Sequence, residues 1–369
     1  MTAVLLFSMN SGARRAPLQQ TDPVSGRMEI VQGVLYWALG HSASQIVSRG
    51  GLAWIEYPLI ARYSWLVHAF STRRTGVSRG RSAGLNLGFT TGEPRARVRE
   101  NRKLFLQQLG AEQCALAELR QIHSTLIYQV QRAHGGELEY RLAGIRAPEQ
   151  PGVAQPSGDA LWTDQAGILL SVRTADCLPV LLVDPKRRAV AAVHAGWRGA
   201  LARIVEKAVG EMRRVCGSEP RSLLAAIGPS IRVCCYEVGE EVEEAFQGRF
   251  PRADKFFRKR SKPAASHPER PSLSFLNRQP PGHHASSKPS IHLDLVAVAR
   301  NQLLEAGLAP QHVVGGDLCT ACRTDLFYSY RQEGSSAGRM LAVIGICPTP
   351  SRRSWPQAAP TSCPREMRM

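Results

Sequence analysis

No stretch of this chain stays apolar for the ~20 residues that a membrane-spanning helix needs. The opening residues Met1–Phe7 form a short apolar run with no basic segment before it, which makes a poor secretory signal. The GxGxxG fingerprint of a dinucleotide-binding fold is missing too. Acids are scarce: 30 Asp and Glu stand against 47 Lys and Arg, a net charge of +17. Cysteine is present but odd in number, nine in 369 residues, which argues against a secreted framework of paired disulfides. Reduced thiols in a cytoplasmic protein are the expectation.

A charge of +17 suggests anionic partners, either nucleic acid or phosphate-bearing ligands. Its distribution speaks against nucleic acid. From 255 to 290 the bases Lys255, Arg258, Lys259, Arg260, Lys262, Arg270, Arg278 and Lys288 face the single acid Glu269, among many prolines. Such a composition cannot bury a core, so 255–290 reads as a basic, flexible insertion. Residues 1–50 read as an N-terminal extension and 348–369 as a disordered tail. One domain spanning 51–347 remains, and its 43% hydrophobic content supports a real core.

Within that span the apolar periodicity alternates between strands and helices. Arg95–Leu109 reads as an amphipathic helix stopped by Gly110. Short apolar runs at 167–172, 178–183, 189–193 and 223–227 read as buried strands. Asp184-Pro185-Lys186-Arg187-Arg188 predicts a hairpin between the second and third. Leu201, Ile204, Val205, Ala208, Val209 and Met212 give one helical stripe over 199–215. Further helices are expected around Val238–Phe246 and Leu295–Leu303, with a last strand over 340–346. Strands in adjacent pairs mixed with helices indicate an α+β domain of mixed α/β layers, a single layered sandwich.

The chemistry concentrates at Thr174-Ala175-Asp176-Cys177-Leu178-Pro179 and Val193-His194-Ala195-Gly196-Trp197-Arg198-Gly199. Cys177 and His194 each stand at the edge of a strand-like run, and both are donors suited to zinc or copper. His123 would complete a set of three, and three protein ligands with an open position is the pattern of a catalytic metal. Alone, Cys177 reads as a buried structural thiol and His194 as a core histidine. The glycine-bearing turn after His194 favours function, because such turns expose catalytic groups and bind anions. Arg198 would hold a phosphate there, or form a surface ion pair. Asp159 and Asp176 are candidates to orient a ligating histidine, or plain turn formers. Arg73 and Asn86 lie in a glycine- and arginine-rich loop where they could meet an anion. Tyr328-Ser329-Tyr330-Arg331 and Gly338-Arg339 add two more arginines, the first of them beside an aromatic. Cys319-Thr320-Ala321-Cys322 has the spacing of half a zinc ribbon, and partly buried structural thiols are the favoured reading.

Several motifs in one order make the chain resemble the YfiH-like, laccase-domain family of purine nucleoside phosphorylases. They are Phe70-Ser71-Thr72-Arg73 with Leu85-Asn86-Leu87-Gly88, Gln121-Ile122-His123, Asp159-Ala160-Leu161-Trp162-Thr163, and the Cys177 and His194 segments. Ile227-Gly228-Pro229-Ser230-Ile231, Cys235-Tyr236-Glu237-Val238, Cys319-Thr320 and Phe327-Tyr328-Ser329-Tyr330-Arg331 follow. Ser124 stands where the family usually has glycine, and Thr75 replaces a glycine after Arg73. The resemblance implies a metal centre on His123, Cys177 and His194, which is read here as zinc, with copper as the other candidate metal. These three would be catalytic, with Arg73, Asn86, Asp176 and Arg198 binding substrate. It also implies phosphorolysis of adenosine, inosine, guanosine and methylthioadenosine, with adenosine deamination as a side activity. Purine nucleosides and phosphate would be the partners, and neither membrane nor nucleic acid. Two other enzymes fit the same residues: a copper polyphenol oxidase, which would need more histidines, and a metal-free hydrolase with Cys177 as nucleophile and His194 as base.

Overall fold

The computed structural model describes residues 44–89, 91–146, 155–260 and 289–346, with the backbone of two short paired strands, Arg27–Val31 and Val34–Ala38. The expectations for the 348–369 tail, for most of the N-terminal extension and for the centre of the basic insertion lie outside the described residues. Two mixed sheets dominate. In the eight-stranded sheet the order is Val313–Gly315, Leu224–Ile227, Leu178–Asp184, Ala189–Ala195, Ala160–Thr163, Ile127–Arg132, Leu138–Leu142 and Ile145–Arg146. In the six-stranded sheet it is Gln45–Arg49, Leu52–Glu56, Leu66–Ser71, Met340–Ile346, Ile168–Thr174 and Ala115–Ala117.

The apolar runs are continuous because the central strands are covered on both faces. Along Leu178–Asp184, Leu181 and Val183 pack with Leu170, Val172, Phe70 and Ile344 of the other sheet. Leu178, Val180 and Leu182 point the opposite way, toward Val205, Val209 and Met212 of the helix Ile204–Cys216 and Leu295 and Val298 of the helix Leu295–Glu305. On the far side of the six-stranded sheet, Trp54, Ala69, Leu169 and Val343 meet Phe105 and Leu109 of the helix Arg95–Leu109. The molecule is thus layered helix, sheet, sheet, helix, the mixed sandwich that the sequence predicts. Gly110 ends the Arg95–Leu109 helix at φ 65°, the left-handed cap expected of it.

The predicted hairpin places the key residues. Asp184 Oδ1 accepts hydrogen bonds from the backbone N–H groups of Lys186 (2.9 Å) and Arg187 (3.0 Å), turning the chain back on itself. The antiparallel register that follows sets Pro179 opposite His194 and Leu178 opposite Ala195. Cys177, just before one strand, therefore lies beside the end of the other.

Three expectations need correction. The helix read over 199–215 is two helices, Trp197–Leu201 and Ile204–Cys216, because Arg203 between them is left-handed at φ 63° and bonds to Glu206 and Glu305. The Ala200 carbonyl at the break takes a hydrogen bond from buried Gln302 Nε2 at 2.6 Å. The extension does not run to 50: Gln45–Arg49 is an edge strand paired with Leu52–Glu56 across two glycines at φ 55° and 81°. Both ends of the basic insertion are strand, Phe257–Arg260 pairing antiparallel with Ser290–Leu293.

The inter-sheet layer carries much of the stability. Leu181→Ala, at a fully buried position, should lower the free energy of unfolding by about 2–5 kcal/mol, measured as a fall in urea midpoint at constant slope.

Candidate active site

Three turns at the ends of neighbouring strands bring His123, Cys177 and His194 together. Their ligand atoms all lie within 4.8 Å of one another. Cys177 Sγ is 3.6 Å from His123 Nε2, and the two imidazoles sit edge to face with ring centres 5.0 Å apart. His194 is buried, Cys177 half-buried and His123 exposed. Two of the turns are strained: His123 has φ 59° and Asp176, next to Cys177, φ 96°. The third needs glycine for space. A Cβ on Gly196 would come within 2.5 Å of His123 Cδ2 and 3.3 Å of Cys177 Sγ.

Asp159 organises this set from a wholly buried position. Its carboxylate accepts hydrogen bonds from the backbone N–H of His123 (3.0 Å) and of Ser124 (2.6 Å) and from the Ser124 hydroxyl (2.7 Å). The Ser124 hydroxyl thus adds a bond to the same carboxylate. Asp159 Oδ1 also lies 2.9 Å from His194 Nδ1. Holding the Nδ1 proton there leaves Nε2 as the free donor, the usual support of a ligating histidine.

Burial pushes the Cys177 thiol up, but the His194 charge and hydrogen bonds from both histidines outweigh it and bring the group down to about 6. Burial works against protonating His194, yet the Cys177 thiolate and Asp159 overcome it and lift the ring to about 9. Asp159 itself, raised by burial, ends below the usual carboxylate range because His194 and Ser124 bond to it. The set therefore favours a thiolate. Two imidazoles and a thiolate converging this closely suit a soft or borderline ion such as zinc or copper.

The donors open onto a cavity of about 530 Å³ lined by Gln121, Arg173, Tyr236, Tyr330, Arg331 and Arg339 among others. Of the predicted substrate residues, only Asp176 lines it. Both Asp176 carboxylate oxygens are engaged, Oδ1 by the Thr320 hydroxyl (2.6 Å) and Oδ2 by the Arg331 backbone N–H (2.6 Å). Arg73, Asn86 and Arg198 are not in the lining. Arg73 pairs with Glu333 at 2.8 Å and lies over the Tyr328 ring. Asn86 is fully buried and its Oδ1 accepts the backbone N–H groups of Gly88 and Arg339, so it shapes a loop instead of meeting an anion. Arg198 is exposed and stacks on Trp197 at 4.3 Å.

The arginines that do reach the cavity are Arg173, Arg331 and Arg339. The adjacent Tyr330 flags Arg331 in the sequence, whereas Arg339 has no aromatic neighbour there and comes near the Tyr330 ring only in the fold. Arg173 is the one charge in the buried strand Ile168–Thr174, a signal that could have been used. Gln121 is spoken for, donating to the Arg173 carbonyl and accepting from its N–H, both at 2.8 Å.

Residues 67–347 match the family described as multi-copper polyphenol oxidoreductase laccase. The chain belongs to that family. Among its relatives, a purine nucleoside phosphorylase of Bacteroides thetaiotaomicron is 33% identical over 293 residues, 79% of this chain and 96% of the relative. Adenosine deaminase RL5, from an unknown prokaryotic organism, is 35% identical over 281 residues, 75% and 93%. The crystal structure of YlmD from Geobacillus stearothermophilus superposes with a TM-score of 0.63 at 29% identity, covering 82% of this chain and 98% of that one. The crystal structure of Bacillus licheniformis hypothetical protein YfiH gives 0.64 at 26% identity, covering 81% and 97%. Family members thus carry both phosphorylase and deaminase names.

The thiolate–imidazolium pair has a definite pH signature. A thiol depressed to about 6 from the ordinary 9.0 adds stability at high pH that is lost as pH falls through 6. An imidazole raised to about 9 from 6.5 adds stability at low pH that is lost as pH rises through 9. The pair is therefore complete between these limits. In chelator-treated protein, alkylation of Cys177 should follow a titration with its midpoint near 6, and a midpoint at an ordinary thiol's value would show the pairing absent. Gly196→Ala should weaken metal retention at least about tenfold by displacing His123, read by competition with a chromophoric chelator.

Proposed function

We propose that this chain is a metal-dependent purine nucleoside phosphorylase, cleaving adenosine, inosine, guanosine and methylthioadenosine with phosphate and deaminating adenosine as a side activity. The observation that carries the reading is the two-histidine, one-cysteine set opening onto a cavity with three arginines and two tyrosines. The phosphorylase and deaminase names of its relatives support it. His123, Cys177 and His194 would hold zinc, with copper the other candidate, and the ion when bound supplies a Lewis acid beside the cavity.

The chain's own residues account for the rest. Arg173, Arg331 and Arg339 form the cationic side of the cavity and would hold the phosphate dianion against the ribose. Tyr236 and Tyr330 supply flat faces for a purine. Arg331 is anchored for this role, its Nη2 donating to the Glu237 carbonyl at 2.9 Å. Asp176 is a positioning residue: with both oxygens bonded, it fixes the Arg331 backbone and the turn that presents Cys177. No helix among the described residues is long and apolar enough to cross a membrane. Described cysteines without disulfides support the cytoplasmic setting that purine nucleosides and phosphate imply.

One observation favours a second reading, a metal-free hydrolase: a low-pKa thiolate beside a histidine resembles a nucleophile and its base. The second imidazole favours metal, since a nucleophilic thiolate needs only one. Elemental analysis of purified protein separates the two. A copper oxidase, as the family's description suggests, would need further histidine clusters, and among the described residues the only other candidate metal-binding group is made of cysteines.

The decisive assay is release of hypoxanthine from inosine with and without phosphate. Phosphate-dependent release, lost together with the metal in Cys177→Ala, is expected; turnover that persists in metal-free Cys177→Ala would sink the scheme. Arg339→Ala should raise the KM for phosphate about tenfold or more with a smaller effect on the KM for nucleoside.

A further inference from the structure

A second group of donors lies apart from His123, Cys177 and His194. The thiols of Cys234, Cys235, Cys319 and Cys322 all stand within 4.8 Å of one another. Cys322 Sγ is 3.4 Å from Cys234 Sγ and 3.3 Å from Cys235 Sγ. A disulfide requires about 2.05 Å, and none is formed here. Four sulfurs around one tetrahedral zinc, each about 2.3 Å from the ion, stand about 3.8 Å apart. The observed separations lie within half an ångström of that figure and far from a covalent bond.

Sheet topology makes the meeting. Leu224–Ile227 and Val313–Gly315 are parallel neighbours in the eight-stranded sheet. The loops that leave their ends stay paired through the Ser230–Cys319 bridge, with Ser230 N–H donating to the Leu318 carbonyl and Thr320 N–H to the Ser230 carbonyl. Cys234 and Cys235 come from one loop and Cys319 and Cys322 from the other, so Cys319-Thr320-Ala321-Cys322 gains the second half that its spacing lacks. Cys319 is buried in a small cluster with Ile231 and Ala321, while Cys322 is exposed, so an ion would have a way in. Only sulfur is offered, and four thiolates leave no open position, which is the character of a structural site.

We propose that Cys234, Cys235, Cys319 and Cys322 form a tetrathiolate zinc site that clamps two loops of the catalytic cavity. Binding replaces the four thiol protons, which pass to solvent, with one divalent cation; no oxidant is involved. The clamped loops carry cavity residues directly. Thr320 Oγ1 donates to Asp176 Oδ1, Ile231 N–H donates to the Asp176 carbonyl at 2.8 Å, and Tyr236, next to Cys235, is in the lining. Arg331 Nη1 also reaches the Cys235 carbonyl at 3.5 Å.

The test counts zinc in the full-length protein, purified without chelator. Cys177→Ala empties the first site, so the metal it keeps reports the second whatever the fate of the phosphorylase reading. One zinc per chain in Cys177→Ala, and none when Cys319→Ser and Cys322→Ser are added, is the expected result. Should the triple variant not fold, cobalt exchanged into Cys177→Ala should show sulfur-to-metal charge transfer, and X-ray absorption a shell of four sulfurs. Cys177→Ala protein holding no zinc overturns the proposal. So does a mass lower by two hydrogens from a disulfide among the four cysteines, or their full alkylation in native protein at the rate of open thiols.

Discussion

Asp159 is where fold and site become one problem. Its backbone N–H and that of Ala160 both donate to the Leu126 carbonyl, and its own carbonyl accepts His194 N–H at 2.8 Å. Its side chain then reaches out to the His123 loop and back to the His194 ring. Three strand ends are thereby tied through one fully buried carboxylate. A carboxylate so placed costs little only while its bonds are all made, and the buried His194 ring would lose its Nδ1 partner without it. The alignment of the two imidazoles is thus enforced by the same bonds that close this end of the sheet.

Strain and tight space gather at the other points of the site. His123 and Asp176 occupy left-handed backbone, and Gly196 is pressed against the side chains it must admit. Packed sheets on either side over-determine these turns, which is what lets them persist. Burial between two sheets also explains why a thiol and an imidazole can stabilise each other's charged forms: the dielectric is low and the partners are within reach.

Much of this was legible in the sequence, and the failures have physical causes. Strands covered on both faces leave unbroken apolar runs, so Leu178–Asp184 and Ala189–Ala195 are readable, and the Asp184 turn between them fixes the register. The His123, Cys177 and His194 set is readable because its donor chemistry is rare at strand edges. Arg73 and Asn86 look free in a glycine-rich loop, whereas in the fold Glu333, Tyr328 and backbone amides engage them and neither lines the cavity. The break at Arg203 is hidden because its partner Glu305 lies on a distant helix. Cys234 and Cys235 could not be joined to Cys319 and Cys322 by inspection, since a parallel pairing between remote strands is what unites them.

The strand pair Phe257–Arg260 and Ser290–Leu293 has an evolutionary consequence. Antiparallel neighbours hold the two ends of the intervening segment at a fixed, short separation, so lengthening that segment adds closure entropy only logarithmically. Sequence there can drift, expand or acquire a new binding partner without a correction being demanded of the sheets. A third strand, Glu237–Val238, pairs with Ser290–Leu293 and follows directly on Tyr236 of the cavity wall. The strand pair therefore acts as an anchor whose root touches the wall of the cavity beside His123, Cys177 and His194.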